Sequence, residues 1–578
     1  MASLSFIPRL YSALLFLKLV LRSRQICLAL SVLARSISTF HSACVNVAVT
    51  NKPDPFKIST ISHNNMARNN IAIYSPLPKM VSSLGVLLHI SRNLKTPDYC
   101  KLRLTCKHVE AQLLNAFAGE FFQKKQFMFT EFSLQALVDI SKSRFTTTLK
   151  HVIFGLEQPQ RTPPLSLPKQ NWSPVVIKQN RQLMAWVDHS SFLNSGQNVE
   201  MLAEAFSALP YLETVGLRDF NSSSRHRDHP YFYWNSYGAP TYFKDTGSPM
   251  LSPRNRHKYG TATALGHLMF VYRAFQDILR GAGKASIHLK DFEVILRTCA
   301  LSDRAFNIPK YLEPTIGPVL ANLRTLFLDL SSEDPYILVE TQNGVTECPS
   351  YSLMKFLSHT VNLEHLRLNF ESYHNTESIL SWLSRSPPTT SNPTAAASPL
   401  AEPQPVGLNS LKQLDIGMIT VEPKVILAII RKHRANLRVI SLHKVTFIHT
   451  ADVSADERVN LWAKLFEDLS KLGLKLDAIN MSLLSQQQPG RLHKRYVSFK
   501  ETREGHTKRW AGNDTQSGLR DFQAQVTIDN LDQDTPQPSD ESSQEHSDDS
   551  MDDQDHEDDE DEEDDEDDED EEDDEDDE

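Results

Sequence analysis

Six times between residues 149 and 442 the chain repeats a short pattern, a leucine followed three residues later by an apolar side chain and after two more by another. The units are Leu149-Lys-His-Val-Ile-Phe154, Leu212-Glu-Thr-Val-Gly-Leu217, Leu323-Arg-Thr-Leu-Phe-Leu328, Leu363-Glu-His-Leu-Arg-Leu368, Leu411-Lys-Gln-Leu-Asp-Ile416 and Leu437-Arg-Val-Ile-Ser-Leu442. Side chains alternate between faces in an extended chain, so the last three residues of each unit read as a short strand with one buried face. Ahead of two units the apolar spacing is helical: Leu353, Phe356 and Leu357 before one, Val425, Ile426, Ile429 and Ile430 before another. Pro423 falls in the first turn of the second helix, where a missing N–H costs nothing. Strand-and-helix units of this size bury their apolar faces only by stacking side by side, which predicts an α/β fold built on one long sheet.

The starts of the last two units, Leu411 and Leu437, lie 26 residues apart, within the leucine-rich-repeat period. The series resembles that family. The other starts are separated by 63, 111, 40 and 48 residues, and the position that usually carries Asn or Cys holds Glu157, Phe220, Ser331, Glu371, Ile419 and Val445. The expectation is an irregular leucine-rich-repeat solenoid over residues 125–485, with insertions at 221–259 and 384–405. The first insertion contains seven Tyr, Phe or Trp residues between Arg225 and Asp245 among basic ones. That composition suits packing over the repeat edge or protein recognition, with Tyr and Trp as anchors; base stacking is the alternative. The second is rich in Pro, Ser, Thr and Ala and reads as a flexible excursion.

Before the array, Val86, Leu87, Leu88, Ile90 and Leu94 fall at helical spacing, and Leu102, Leu104, Val109, Leu113 and Leu114 do so again. Between them, Thr96 is placed to cap a helix that begins at Pro97, with Asp98 suiting its positive end. The stretch Leu87 to Leu114, with its Leu102-Arg-Leu-Thr-Cys-Lys107 run, resembles the F-box, a small helical unit that docks on the Skp adaptor of cullin-based ubiquitin ligases. The positions that carry the resemblance are Leu87, Leu88, Ile90, Leu94, Asp98, Leu102, Leu104 and Cys106. It implies an F-box-like unit at 76–120 whose partner-binding face uses Leu87, Leu88, Ile90, Leu94, Leu102, Leu104 and Cys106. The family's Leu-Pro-x-Glu opening is replaced by Ser82, Ser83, Leu84 and Gly85. A second reading is therefore a helical cap that shields the end of the array.

Charge divides the rest. The net charge of -13 conceals Asp552 to Glu578, which carries 25 of the 73 acidic residues and no Lys or Arg. A basic linker is expected at 486–520, where Arg491 to Arg509 holds seven Lys or Arg, and a disordered acidic tail at 521–578, kept open by like-charge repulsion. The tail reads as a solvating segment, a shield for the basic body, or a binder of basic proteins. Residues 1–70 read as an extension: residues 1–50 lack acidic groups and have transit-peptide composition, while translation from Met66 or Met80 would make the segment dispensable. Cytoplasm and/or nucleus is the expected location, with mitochondrial targeting the alternative. A membrane span is not expected, since no apolar run reaches the required length.

No catalytic, metal or cofactor site is expected. Cys27, Cys44, Cys100, Cys106, Cys299 and Cys348 include no C-x-x-C pair, and the 21 His show no ligand spacing. Gly281-Ala-Gly-Lys284 resembles part of a phosphate loop, but Ile278 stands where its first Gly belongs and Ala285 where its Ser or Thr belongs. The expected partners are a Skp adaptor, a cullin and a protein substrate; nucleic acid is not among them. The competing class is a nuclear scaffold whose helices only cap the repeats and whose tail binds basic proteins, and a repeat-decorated enzyme is a third.

Overall fold

In this computed structural model the described residues are 84–159, 174–221, 227–228, 236–250, 261–331, 337–341, 344–371, 377–387, 401–448, 459–487, 494–500, 502 and 505–528. The expected extension, 1–70, lies outside them, as do the tail from Asp529 onward, residues 388–400 of the second insertion and most of the aromatic run in the first.

Three helices open the described chain: α1 (Leu84–Arg92), α2 (Thr96–Arg103) and α3 (Lys107–Phe122). They close around Leu87, Tyr99, Val109, Leu113, Phe117 and Phe121, with Phe117 stacked on Phe121 at 4.6 Å and edge-on to Tyr99 at 5.7 Å. Thr96 is not the cap expected of it. Lys95 holds that position without a side-chain bond, and Thr96 is already helical.

From α3 the chain passes into β1 (Lys124–Met128), α4 (Glu131–Ser141), β2 (His151–Gly155), α5 (Pro174–Ser195), α6 (Gln197–Ser207) and β3 (Thr214–Arg218). Then follow α7 (Ala239–Thr246), α8 (Thr261–Ala285), β4 (Asp291–Ile295), α9 (Glu313–Asn322), β5 (Thr325–Leu330) and a hairpin of β6 (Ile337–Thr341) and β7 (Gly344–Cys348). Beyond it lie α10 (Tyr351–Ser358), β8 (His365–Phe370), α11 (Glu377–Ser384), β9 (Gln413–Gly417), β10 (Thr420–Val421), α12 (Pro423–His433), β11 (Val439–His443) and β12 (Thr446–Ile448). The last elements are α13 (Leu461–Ser470), β13 (Ala478–Ser482), β14 (Ser485–Gln487), β15 (Arg495–Phe499), β16 (Thr507–Ala511), α14 (Thr515–Gln525) and β17 (Val526–Ile528).

Ten strands form one sheet in the order β1-β2-β3-β4-β5-β8-β9-β11-β13-β16, parallel from β1 to β13 and closed by antiparallel β16. All six leucine units supply strands of it. Two more carry the same pattern, Leu289-Lys-Asp-Phe-Glu-Val294 in β4 and Leu476-Asp-Ala-Ile-Asn-Met481 in β13, and the first of these divides the 111-residue gap. Helices cover the face presented by the unit leucines, where Phe154 meets Phe206 of α6 and Phe275 of α8 stacks on Phe292 of β4.

A backbone ladder stands where the repeat family has its Asn. Met418, Lys444 and Leu483 follow β9, β11 and β13 with φ of 56°, 50° and 50°, and each donates its N–H to the next coil: to His443 O at 2.8 Å, Ser482 O at 2.9 Å and His506 O at 3.0 Å. The residues after them, Ile419, Val445 and Leu484, are 0% exposed and lead into a second sheet, β10-β12-β14-β15-β17. Burial of an apolar side chain and a main-chain bond thus replace the amide side chain.

The region expected to be a basic linker, 486–520, is part of this fold. Val497, Phe499, Leu519 and Phe522 are buried, and Lys508 is neutralised by Asp521 at 2.6 Å. The charged residues had masked the alternation of β15, and folded chain continues to Ile528, past the expected start of the tail at 521. The second insertion, expected at 384–405, is narrower: Trp382 Nε1 donates to Pro403 O at 2.7 Å, Arg385 forks onto Glu402, and Lys432 Nζ donates to Leu383 O and Val406 O at 2.7 and 2.8 Å. Its base is thereby stapled shut, and burial pushes the Lys432 ammonium down to about 8.

Gly281 and Gly283 of the phosphate-loop-like run lie inside α8 as packing residues. A Cβ on Gly281 would stand 2.7 Å from Leu202 Cβ of α6, and one on Gly283 3.2 Å from the Thr315 backbone of α9, while Lys284 pairs with Glu200. No helix among the described residues is long and apolar enough to cross a membrane.

Two stability measurements check these assignments. Gly281→Val overfills the α6–α8 crossing and is expected to cost about 1–3 kcal/mol in chemical denaturation; an unchanged midpoint would contradict the close approach. Lys444→Gly relieves a left-handed side-chain penalty and is expected to gain up to about 1 kcal/mol, whereas Lys444→Val loses at least as much.

Candidate functional site

The sheet face away from the helices presents one side chain in two from every strand. Strand register sets these side chains in rows: Asp291, Thr325, His365, Gln413 and Val439 in one, Glu293, Phe327, Arg367, Asp415, Ser441, Asn480 and Arg509 in the next. At the β1–β3 end Ser236 and Tyr237 of the first insertion lie on this face. Gln126 Nε2 donates to Ser236 Oγ at 2.9 Å, Ser236 Oγ donates to the Glu157 carboxylate at 2.9 Å, and Tyr237 N donates to Gln126 O at 2.9 Å. Gln126 and Ile153 are consequently buried, whereas the rows from β4 onward are half-exposed or exposed.

Cross-strand pairs link the open part. The Phe327 ring meets two side chains of neighbouring β8, His365, edge-on at 4.7 Å, and Arg367, whose guanidinium lies 5.7 Å from the ring. His365 Nε2 is 2.7 Å from Asp415 Oδ2, which also accepts from Gln413 Nε2 at 3.2 Å. Asn480 Nδ2 donates to Ser441 Oγ at 3.2 Å, and His443 Nδ1 lies 2.7 Å from Ser482 Oγ. Rigid strands hold these amides, hydroxyls and rings at fixed spacing, an arrangement suited to hydrogen-bonding an extended protein segment.

Two buried carboxylates, Asp219 and Asp329, and the half-buried Glu157 sit at or just beyond the ends of β3, β5 and β2. Asp219 accepts from the Arg297 and Thr298 amides at 2.9 and 2.7 Å, and Asp329 accepts from Leu296 N at 2.6 Å, so both hold the turn after β4. Burial pushes Asp329 up to about 6 and raises Glu157. His151, on β2, is driven the other way to about 3, first by burial and then by Lys124 and Arg218; Glu293, 3.5 Å from it, is shared with Arg218. Among the described residues no group of three or more His, Cys, Asp or Glu side chains could hold a metal ion.

The helical unit sorts its expected site residues into three environments. Leu87 is core, 2% exposed, and Leu88, Leu94 and Leu102 pack against that core while remaining partly exposed. Ile90 at 43%, Leu104 at 73% and Cys106 face outward. Leu84, which apolar spacing had not singled out, is exposed as well, and Asp98 pairs with Lys101 at 3.0 Å on the surface. Helical spacing located the unit but could not separate its interior from its outer face, because short helices are apolar on both sides.

No known protein family matches the chain, and no curated protein matches it. Among solved structures it is similar to the leucine-rich repeat-containing protein LegL7 from Legionella pneumophila, at 10% identity over 69% of this chain and 98% of that one, with a TM-score of 0.24. Within this chain itself, strand order and register show the repeated strand-and-helix units.

The neutral His151 predicts a pH dependence. Its folded value lies below its unfolded value, so its contribution is complete above about pH 6.5 and is lost as pH falls toward 3. Asp329 and Glu157 have raised values and act with the opposite sign, gaining stability as pH falls. Between pH 7 and pH 5 a His151→Gln variant is expected to lose about 2 kcal/mol less stability than the parent, read as the difference between their denaturation midpoints. Identical slopes would mean that His151 is protonated in the folded state.

Proposed function

We propose that this protein is a substrate-recognition adaptor of a Skp–cullin–F-box ubiquitin ligase, with α1–α3 engaging the adaptor and the open sheet face holding the protein to be modified. The observation that carries this reading is the division of labour in the helical unit. α1–α3 close their own core and still leave Leu84, Ile90 and Leu104 outside it. A unit serving only to shield the end of the array would turn a polar outer face to solvent. Exposed apolar side chains on a small rigid unit instead suit a partner helix.

The polar rows of the sheet complement this assignment. Phe327, beside His365 and Arg367, supplies an aromatic anchor, and the hydrogen-bonded pairs around it supply specificity. The protein positions its cargo on this reading, and the ubiquitin chemistry belongs to its partners. The competing scaffold reading draws on the acidic tail, whose charge suits basic proteins.

Affinity purification of the full chain separates the two. The Skp adaptor and cullin are expected to co-purify, and Ile90→Asp with Leu104→Asp to abolish their recovery while the chain stays folded, since both side chains lie outside the core. Recovery of basic nuclear proteins alone, insensitive to these substitutions, would replace the ligase reading with the scaffold.

A further inference from the structure

The first insertion reaches the helical unit through two adjacent residues of opposite charge. Arg227, whose side chain is 8% exposed, forks onto Glu120 of α3 and donates through Nη1 to Ser91 O at 2.5 Å and Leu94 O at 2.8 Å. Its guanidinium also lies 4.6 Å from the ring of buried Tyr99. Asp228 accepts from Thr96 N at 3.2 Å and from Thr96 Oγ1 at 2.7 Å.

These are the two ends that meet in the α1–α2 turn. The C-terminal carbonyls of α1 favour a cation and the N-terminal amides of α2 an anion, so Arg227 and Asp228 each match the helix end they touch. A buried guanidinium is tolerated only where its donors are met, and here a carboxylate and two carbonyls meet them. The cap that Thr96 does not provide for α2 is supplied from 132 residues away. The same insertion is fixed at Ser236 and Tyr237 to Gln126 of β1 and to Glu157 beyond β2. One segment therefore grips both the turn between the first two helices and the first strands of the array.

We propose that Arg227 and Asp228 are positioning residues, a latch that fixes the α1–α2 turn relative to the first strands and so holds the outward face that carries Ile90 and Leu104 in one orientation. The latch stands on contacts within the chain; only its consequence for adaptor binding rests on the ligase reading.

Hydrogen exchange of the full chain tests it with Arg227→Met, Asp228→Asn and Arg227→Lys. Releasing the turn is expected to speed exchange of residues 94–100 by about tenfold or more in Arg227→Met while β9, β11 and β13 keep their protection. Asp228→Asn should affect chiefly the Thr96 amide, and Arg227→Lys, which keeps the charge but loses the fork, should recover part of the protection. Unchanged exchange at 94–100, or acceleration spread evenly over the sheet, would overturn the latch. Adaptor recovery is scored separately: a parent chain that never retains the adaptor yet shows the local acceleration in Arg227→Met defeats the ligase reading and leaves the latch intact.

Discussion

Hydrogen bonding between parallel strands is what everything else in this molecule depends on. A parallel strand has no partner within its own unit, so each satisfies its amides only through the units on either side. The ends of such a row need separate solutions. At one end α3 leads directly into β1 and Tyr237 bridges its edge. At the other the chain reverses, and antiparallel β16 ends the series with α14 folded behind it. Buried leucines on the helical face then act cooperatively, because no unit can bury them alone.

Much of this was legible from residues. The spacing Leu-x-x-apolar-x-apolar marks a strand because alternation makes it one, and it located six of the ten strands of the main sheet. β4 and β13 carry the same spacing, so the signal reaches eight of the ten. β1 is different: Lys125 stands in register with Val152, and no apolar periodicity announces it. The Arg491–Arg509 stretch misled for a physical reason. Its cations decorate strands whose alternate residues, Val497 and Phe499, are buried, and net charge does not report which face a side chain takes.

The candidate surfaces were less legible than the fold. Polar residues on the open sheet face are interchangeable in composition with those of any solvated strand; only register brings Phe327, His365 and Arg367 together. In the helical unit, Leu87 and Ile90 look alike as letters, yet one closes the core and the other faces water. The contacts of Arg227 and Asp228 span more than a hundred residues of sequence, and no local pattern announces a cap delivered from so far away.

The stapled base of the second insertion has a consequence for how chains of this kind diversify. Because Trp382, Arg385 and Lys432 bring its two ends together, β8 and β9 pair residue for residue although their leucine units begin 48 residues apart. Once the ends are joined, extra length costs only the slow logarithmic growth of loop entropy, with each doubling adding roughly 0.6 kcal/mol. Distance along the chain is thereby uncoupled from distance in space. Lineages could lengthen or prune this excursion almost without thermodynamic consequence, and a period measured in residues would drift while the period measured in ångströms stayed fixed.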